Sequence, residues 1–223
     1  TIIGYGSPNK SGKASSHGAP LGEEEIKLVR KKLKWEYEPF EIPKEILNDW
    51  RNIGEKGVSL EKKWSIIYNK KSKKIKDELS RVINSELPKN FDEVISHIKK
   101  DFFDSKHNIA SRQSSANVIE KITKNLPELI GGSADLSGSN NTKTKNSIAI
   151  KPSKFNGNYI HYGVREHGMA AAMNGMALYG GIIPYGGTFL IFSDYCKPSI
   201  RLSAFIGLKV IYIFSHDSIG LGE

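Results

Sequence analysis

The sequence predicts an α/β fold, a parallel sheet flanked by helices, preceded by a helical interdomain segment. Three observations carry this. After about residue 108, short apolar runs alternate with helix-length segments, the pattern of a sheet with crossover helices. The run 210–214 (Val-Ile-Tyr-Ile-Phe) is apolar throughout, as a parallel strand covered on both faces would be. Before residue 108 the chain is denser in charge, and its apolar residues recur at helical spacing.

The elements follow in order. Residues 1–22 are rich in Gly, Ser and Lys and carry the turn signal Ser7-Pro8-Asn9-Lys10, so they are expected to be loop. Glu23, Glu24 and Glu25 precede Ile26, Leu28, Val29 and Leu33, a helix whose first-turn acids suit its dipole. Pro39 and Pro43 keep residues 35–43 extended. From Lys44 to about Leu87 the pattern is helical and polar, with Trp50, Leu60, Trp64, Ile67, Ile75, Leu79 and Val82 as its apolar positions; Pro88 ends it. Such a helix bridges domains or rides on a surface. Residues 90–103 form a further short helix. Then come a helix at 111–125, a strand at 129–132, a polar loop at 137–158 and a strand at 159–162. A helix built on Ala and Met at 166–178 leads to a strand at 182–185 ending at Gly186-Gly187. Thr188 opens a helix to about Phe205, and 210–214 is the last strand. Gly131, Gly163, Gly187 and Ser215 are expected to follow four strand ends, where ligands of such sheets sit.

Composition narrows the function classes. The chain has 223 residues, 38% of them hydrophobic and 26% charged, ordinary values for a globular protein. No run of about 18 apolar residues exists, so no membrane span is expected. The N-terminus lacks a basic leader and an initiator Met, and is expected to be neither a signal peptide nor a native start. A single cysteine, Cys196, excludes an internal disulfide framework and a multi-cysteine metal site, and suits a reducing compartment. The net charge of +9 includes a crowded basic stretch at residues 69–76. That stretch lacks interleaved aromatics or a recognisable binding motif, so it reads as a solvated helix face rather than a nucleic-acid surface.

Chemistry concentrates in residues 157–169, Gly-Asn-Tyr-Ile-His-Tyr-Gly-Val-Arg-Glu-His-Gly-Met. The pattern places the Glu166 carboxylate just after a strand and at a helix start, where the dipole favours it. His161, Tyr162, Arg165 and His167 crowd the same turn. Phe189, Phe192 and Tyr195 recur at a spacing of three, which would put three rings on one helix face. Core packing would use such a face, and so would a flat heteroaromatic cofactor, since ring stacking adds about 0.5–1.5 kcal/mol beyond burial.

Five motifs in one order resemble the transketolase family. They are Gly-Ser-Pro-Asn-Lys (6–10) with His-Gly-Ala-Pro-Leu-Gly (17–22), Gly-Gly-Ser-Ala-Asp-Leu (131–136), Tyr-Gly-Val-Arg-Glu-His-Gly-Met (162–169), Gly-Gly-Thr-Phe-Leu (186–190) and His-Asp-Ser-Ile-Gly-Leu-Gly-Glu (216–223). The resemblance covers nearly the whole chain. It implies a thiamine-diphosphate-binding fold: residues 1–42 as the tail of the diphosphate-binding domain, 43–107 as a charged helical linker, and 108–223 as a pyrimidine-binding α/β domain incomplete at its C-terminus. The implied reaction moves a two-carbon ketol unit from a ketose phosphate to an aldose phosphate, in the pentose phosphate pathway. By this resemblance Glu166 hydrogen-bonds a ring nitrogen of the thiamine aminopyrimidine, and Phe189, Phe192 and Tyr195 wall the ring. Asp135 matches an acid that contacts the cofactor or an acceptor hydroxyl. His17 matches a catalytic histidine near the cofactor diphosphate and substrate hydroxyls. Arg112, Ser139 and His216 fall where the family binds the sugar phosphate, a task to which the forked guanidinium is suited.

The resemblance also implies what stands elsewhere. Mg2+ (or Ca2+) would be held by residues outside this chain, since no Gly-Asp-Gly motif with a downstream Asn is present. The active form would be a homodimer with the cofactor at the subunit interface, in the cytoplasm, binding sugar phosphates and neither nucleic acid nor membrane. The chain is expected to be an internal fragment, inactive alone. It departs from the family at Ser215, where Thr is common, at Ser137-Gly138 and at residues 13–16. Related readings are deoxyxylulose-phosphate or dihydroxyacetone synthase, or a non-catalytic transketolase-like binding protein.

Overall fold

In the computed structural model, which describes residues 1–220, the chain forms two units, Thr1–Lys70 and Lys71–Glu223. Residues Leu221, Gly222 and Glu223, the end of the last motif, lie outside the described residues.

The first unit begins as loop, with a single 3-10 turn at Ala14–Ser16. Helix α1 (Glu23–Lys32) carries acids in its first turn and Arg30, Lys31 and Lys32 in its last, both favourable to its dipole. Helix α2 (Lys44–Asn69) has no buried residue within its 26. The long helix expected from Lys44 to Leu87 is therefore two helices. It breaks at residues 70–72, where Ser72 accepts the Ile75 amide at 3.4 Å and caps α3 (Lys73–Ile83). The apolar period runs through the break, but a serine that can cap a helix start ends the preceding helix.

The second unit continues with α4 (Phe91–Ser105) and α5 (Ser111–Thr123), then β1 (Leu129–Ser133) and a short α6 (Ser137–Asn140) inside the expected loop. Next come β2 (Tyr159–His161), α7 (Glu166–Tyr179), β3 (Ile183–Phe189), a 3-10 turn at Leu190–Phe192, α8 (Ser193–Ile206) and β4 (Ile211–Ser215). The four strands are all parallel in the order β2-β1-β3-β4, with Gly131 paired to Tyr159, Ser133 to Gly187 and Phe189 to Ser215. The sheet is covered on both faces. Ile119, Leu126, Leu129 and Tyr185, with Phe91 and Ile122, form one core under α4 and α5. Ala134, Met169 and Met173, with Tyr162 and Tyr212, form the other under α7.

Two expectations are corrected. Gly131 and Gly187 lie inside β1 and β3 rather than beyond their ends. The strands run further than their apolar residues because the small Gly-Gly and Gly-Ser pairs still make ladder bonds. β4 is apolar yet half-exposed, with Ile211 at 46%, since it is the last strand in the order.

Candidate functional site at the strand ends

The turn from β2 into α7 depends on Gly163. Its φ of 68° is left-handed, and a Cβ there would stand 2.5 Å from Arg165 Nη1. Arg165 uses that room: Nη1 donates to the Tyr162 carbonyl at 2.9 Å, and its amide to the Gly163 carbonyl at 2.7 Å. The Arg165 carbonyl accepts the Met169 amide at 2.8 Å, which opens α7 with Glu166 as its first residue. Glu166 is 8% exposed, and no described residue donates a hydrogen bond to its carboxylate. Its charge is felt at the fully buried Cys196 on α8, whose thiol is pushed up by burial first and by Glu166 in smaller part.

The aromatic series is present, but not on one helix face. Phe189 ends β3, Phe192 closes the 3-10 turn and only Tyr195 belongs to α8. The rings still line up, with centroids 5.5 Å apart for Phe189–Phe192 and 5.9 Å for Phe192–Tyr195. A turn of three residues eclipses positions i and i+3, so it aligns the rings as a helix was expected to. Phe189 is buried, Phe192 half-buried and Tyr195 exposed at 65%, so the ladder runs from core to surface.

Three residues far apart in sequence meet beside this ladder. Arg112 Nη1 donates to the Ser139 carbonyl at 3.1 Å and lies 3.2 Å from His216 Nε2. A guanidinium only donates, so His216 Nε2 accepts and its Nδ1–H faces Ser215 Oγ at 3.0 Å. The His216 ring also lies 3.9 Å, centroid to centroid, from Phe189. His216 and Asp135 both hold left-handed backbones, at φ 57° and 63°, a state uncommon outside glycine that Asp and His adopt more readily than most residues. Asp135 is exposed on the loop after β1, four residues before Ser139.

A buried polar knot that the sequence reading missed holds this loop. Ser133 Oγ donates to the Gly187 carbonyl at 3.0 Å, and Asn140 Nδ2 donates to Ser133 Oγ at 3.3 Å. Thr142 Oγ1 donates to Asn140 Oδ1 and lies 2.9 Å from the Tyr159 hydroxyl, while Tyr185 donates to the Thr142 carbonyl. A Cβ on Gly187 would sit 2.4 Å from Thr142 Cγ2, so glycine admits the knot against β3. The only cue was polar residues clustered just after a strand, which also describes an ordinary loop.

Two features could serve a polar heteroaromatic ring: Glu166 offers an unfilled acceptor, and the rings of Phe189 and Phe192 offer a stacking face, with no contact between the two among the described residues. Among the described side-chain polar atoms wholly closed to solvent, Thr188 Oγ1 alone has no hydrogen-bond partner. Thr188 lies on the α7 face of β3, because a Cβ on Gly186, two residues before it, would point at Met169 and Met173. Among the described residues no group of three His, Cys, Asp or Glu side chains could hold a metal ion.

His17 lies in the other unit, exposed, as the C-cap of the 3-10 turn. Its loop is anchored by Glu25, the one buried residue of α1. Ser7 Oγ donates to Glu25 Oε1, joined there by the Asn9 amide at 2.9 Å, and Asn9 Nδ2 donates to Oε2 at 2.9 Å. The Ser7 and Asn9 bonds hold the carboxyl at about 2, below its ordinary 4.5. A carboxyl depressed on folding contributes stability that is complete above about pH 4.5 and is lost as pH falls towards 2. Acid titration of this unit, followed by the fluorescence of Trp35, Trp50 and Trp64, should therefore be steeper in that window than for Glu25→Gln. Identical acid profiles would contradict this.

Residues 107–223 match the family model "Transketolase, pyrimidine binding domain", and residues 1–88 match "Transketolase, thiamine diphosphate binding domain". The chain is 51% identical to transketolase of Buchnera aphidicola from Acyrthosiphon pisum, and 48% identical to transketolase 2 of Vibrio vulnificus. Each match covers 100% of this chain and 34% of the relative, so the chain spans about a third of their length. Its fold matches a Pichia stipitis transketolase crystallised with sedoheptulose 7-phosphate, at 35% identity and a TM-score of 0.82, over 100% of this chain and 34% of that one.

Proposed function

This chain belongs to the transketolase family, and we propose that the protein containing it transfers a two-carbon ketol unit from a ketose phosphate to an aldose phosphate, in the pentose phosphate pathway. The observation that carries the reading is the meeting of Arg112, Ser139 and His216 against Phe189, which sets a phosphate-type guanidinium donor beside an aromatic wall.

The proposed roles rest on the family resemblance, and the geometry supports them. Thiamine diphosphate, when bound, would supply the nucleophilic carbon that two-carbon transfer needs. Glu166, buried and with no donor spent on it, holds a proton against a ring nitrogen of the aminopyrimidine. Phe189, Phe192 and Tyr195 stack on that ring and exclude water from it. Arg112 and His216 take the substrate phosphate, with Ser139 contributed from α6, and Asp135 meets the cofactor or an acceptor hydroxyl. His17 serves the substrate hydroxyls. Residues 43–107 act as the connection between the two cofactor domains. The divalent cation, Mg2+ or Ca2+, is held by residues beyond this chain. The working form is a cytoplasmic homodimer with the cofactor at the subunit interface.

The test is ketol transfer by the full-length protein, which should require thiamine diphosphate and a divalent cation. Arg112→Ala should raise KM for a phosphorylated donor by about 10–100-fold, since hydrogen bonds to charged groups contribute about 1.5–3 kcal/mol. An unphosphorylated donor should be affected far less. Equal effects on both donors would remove Arg112 from the phosphate site, and absence of transfer by the fully loaded protein would remove the reading.

A further inference from the structure

We propose that Glu25 is a positioning residue for His17: its buried carboxylate fixes the turn at 7–10, and Lys10 passes that placement to both flanks of the histidine. The proposal rests on the reading of His17 as the substrate-side histidine.

The path is continuous and lies within one unit. The carboxylate of Glu25 gathers Ser7 Oγ, the Asn9 amide and Asn9 Nδ2 on its two oxygens. Ser7 Oγ, held as a donor by Glu25, accepts the Lys10 amide at 2.9 Å. Lys10 then reaches forward twice. Its carbonyl accepts Ser16 Oγ at 2.5 Å, one residue before His17, and its Nζ donates to the Leu21 carbonyl at 2.8 Å, four residues after it. The His17 amide closes its own turn on Ala14 at 2.9 Å. The histidine is thus bracketed by two bonds to a single residue, and that residue is set by Glu25.

The chemistry explains why a carboxylate stands here. Three donors converge on two oxygens, and a carboxylate is acceptor-only on both. A glutamine would present one acceptor and one donor, leaving a donor facing a donor. The Ser7 side of the site is nearly closed, with Ser7 at 1% and Glu25 at 8% exposure, so a donor left unmatched there is costly, while Asn9 lies on the exposed side. Glu25 also sits in the first turn of α1, where the helix dipole favours its charge. The surrounding loop has little slack: a Cβ on Gly4 would stand 2.9 Å from Ser16 Oγ. A shift of about 1 Å in a catalytic group costs on the order of 100-fold in rate.

The experiment is a double-mutant cycle in the full-length enzyme, with Glu25→Ala, His17→Ala and the pair, reading kcat and KM, together with hydrogen exchange of the amides of residues 10–17. Glu25→Gln, which keeps the shape, serves if the alanine variant fails to fold. Glu25→Ala is expected to lower kcat/KM by about 10–100-fold and to speed exchange at 10–17. In the His17→Ala background it should cost less than about 3-fold more, because coupled residues do not add. Full additivity, or unchanged exchange at 10–17, overturns the proposal. If His17→Ala itself leaves activity intact, the reading of His17 falls, and the exchange measurement still decides whether Glu25 places it.

Discussion

Glu166→Ala in the full-length enzyme is expected to lower kcat by about 100–10,000-fold, the range a positioned proton-sharing group supplies, while the α/β unit stays folded. The separation of the two effects is the informative part. Most buried carboxylates are held by donors, and removing one orphans them. Glu166 has no donor among the described residues, so its removal leaves nothing unpaired. What the fold loses is its favourable place at the start of α7, about 0.3–1 kcal/mol. A carboxylate on which its own fold spends no donor is available to a bound ligand. Glu166→Gln keeps the size and one acceptor but cannot share a proton in the same way, so it should retain more cofactor affinity than Glu166→Ala with almost as large a loss in kcat. The measurements are kcat under cofactor saturation, the cofactor Kd and the melting temperature. Retention of kcat within about 3-fold in both variants would remove Glu166 from the chemistry.

The parallel sheet and the Glu166 turn were legible because they rest on local signals. Strand runs between helix-length segments, Gly163 at a tight turn and an acid at a helix start can each be read within ten residues. The aromatic series was legible in its spacing and misread in its support, since three-residue spacing suits a 3-10 turn as well as a helix. Arg112 and His216 are 104 residues apart, and nothing in their surroundings announces a contact; the family resemblance supplied them, and the fold brings them together. The Ser133–Asn140–Thr142 knot and Glu25 were not legible. Each is a polar residue in a polar stretch, and burial is decided by packing from distant elements. Glu25 illustrates this sharply: it reads as one of three first-turn acids, yet Glu23 and Glu24 are exposed and Glu25 is not. The same limit hid the break of the long helix at residues 70–72, because hydrophobic period carries no information about capping.

The largest loss of stability is expected at Arg81, which ties α3 to the start of the sheet. Its Nη1 and Nη2 reach Glu128 Oε1 and Oε2 at 2.7 and 3.1 Å, a forked pair. Its Nε and Nη2 also reach Glu78 at 3.0 and 2.6 Å, and Nη1 donates to the Glu86 carbonyl at 2.6 Å. The side chains of Arg81 and Glu128 are 11% and 6% exposed, and Glu128 directly precedes β1, with its carbonyl accepting the Ile183 amide at 2.9 Å. Arg81→Ala would leave the Glu128 carboxylate buried without its cation. Breaking such a pair from one side costs about 3–5 kcal/mol, reduced here because Glu128 borders an open pocket lined by Val82, Ser85 and Gly181. About 3 kcal/mol, or roughly 6–12 °C in the unfolding of a domain this size, is the expected result. Arg81→Lys should recover little, since an ammonium cannot make the forked contact. The double variant Arg81→Met with Glu128→Leu should recover most of it, because replacing both charges by apolar groups of similar volume is often neutral. Calorimetry of the three variants separates the cases. If Arg81→Ala and the double variant melt together, the stabilisation lies in packing of the α3 segment and not in the ion pair.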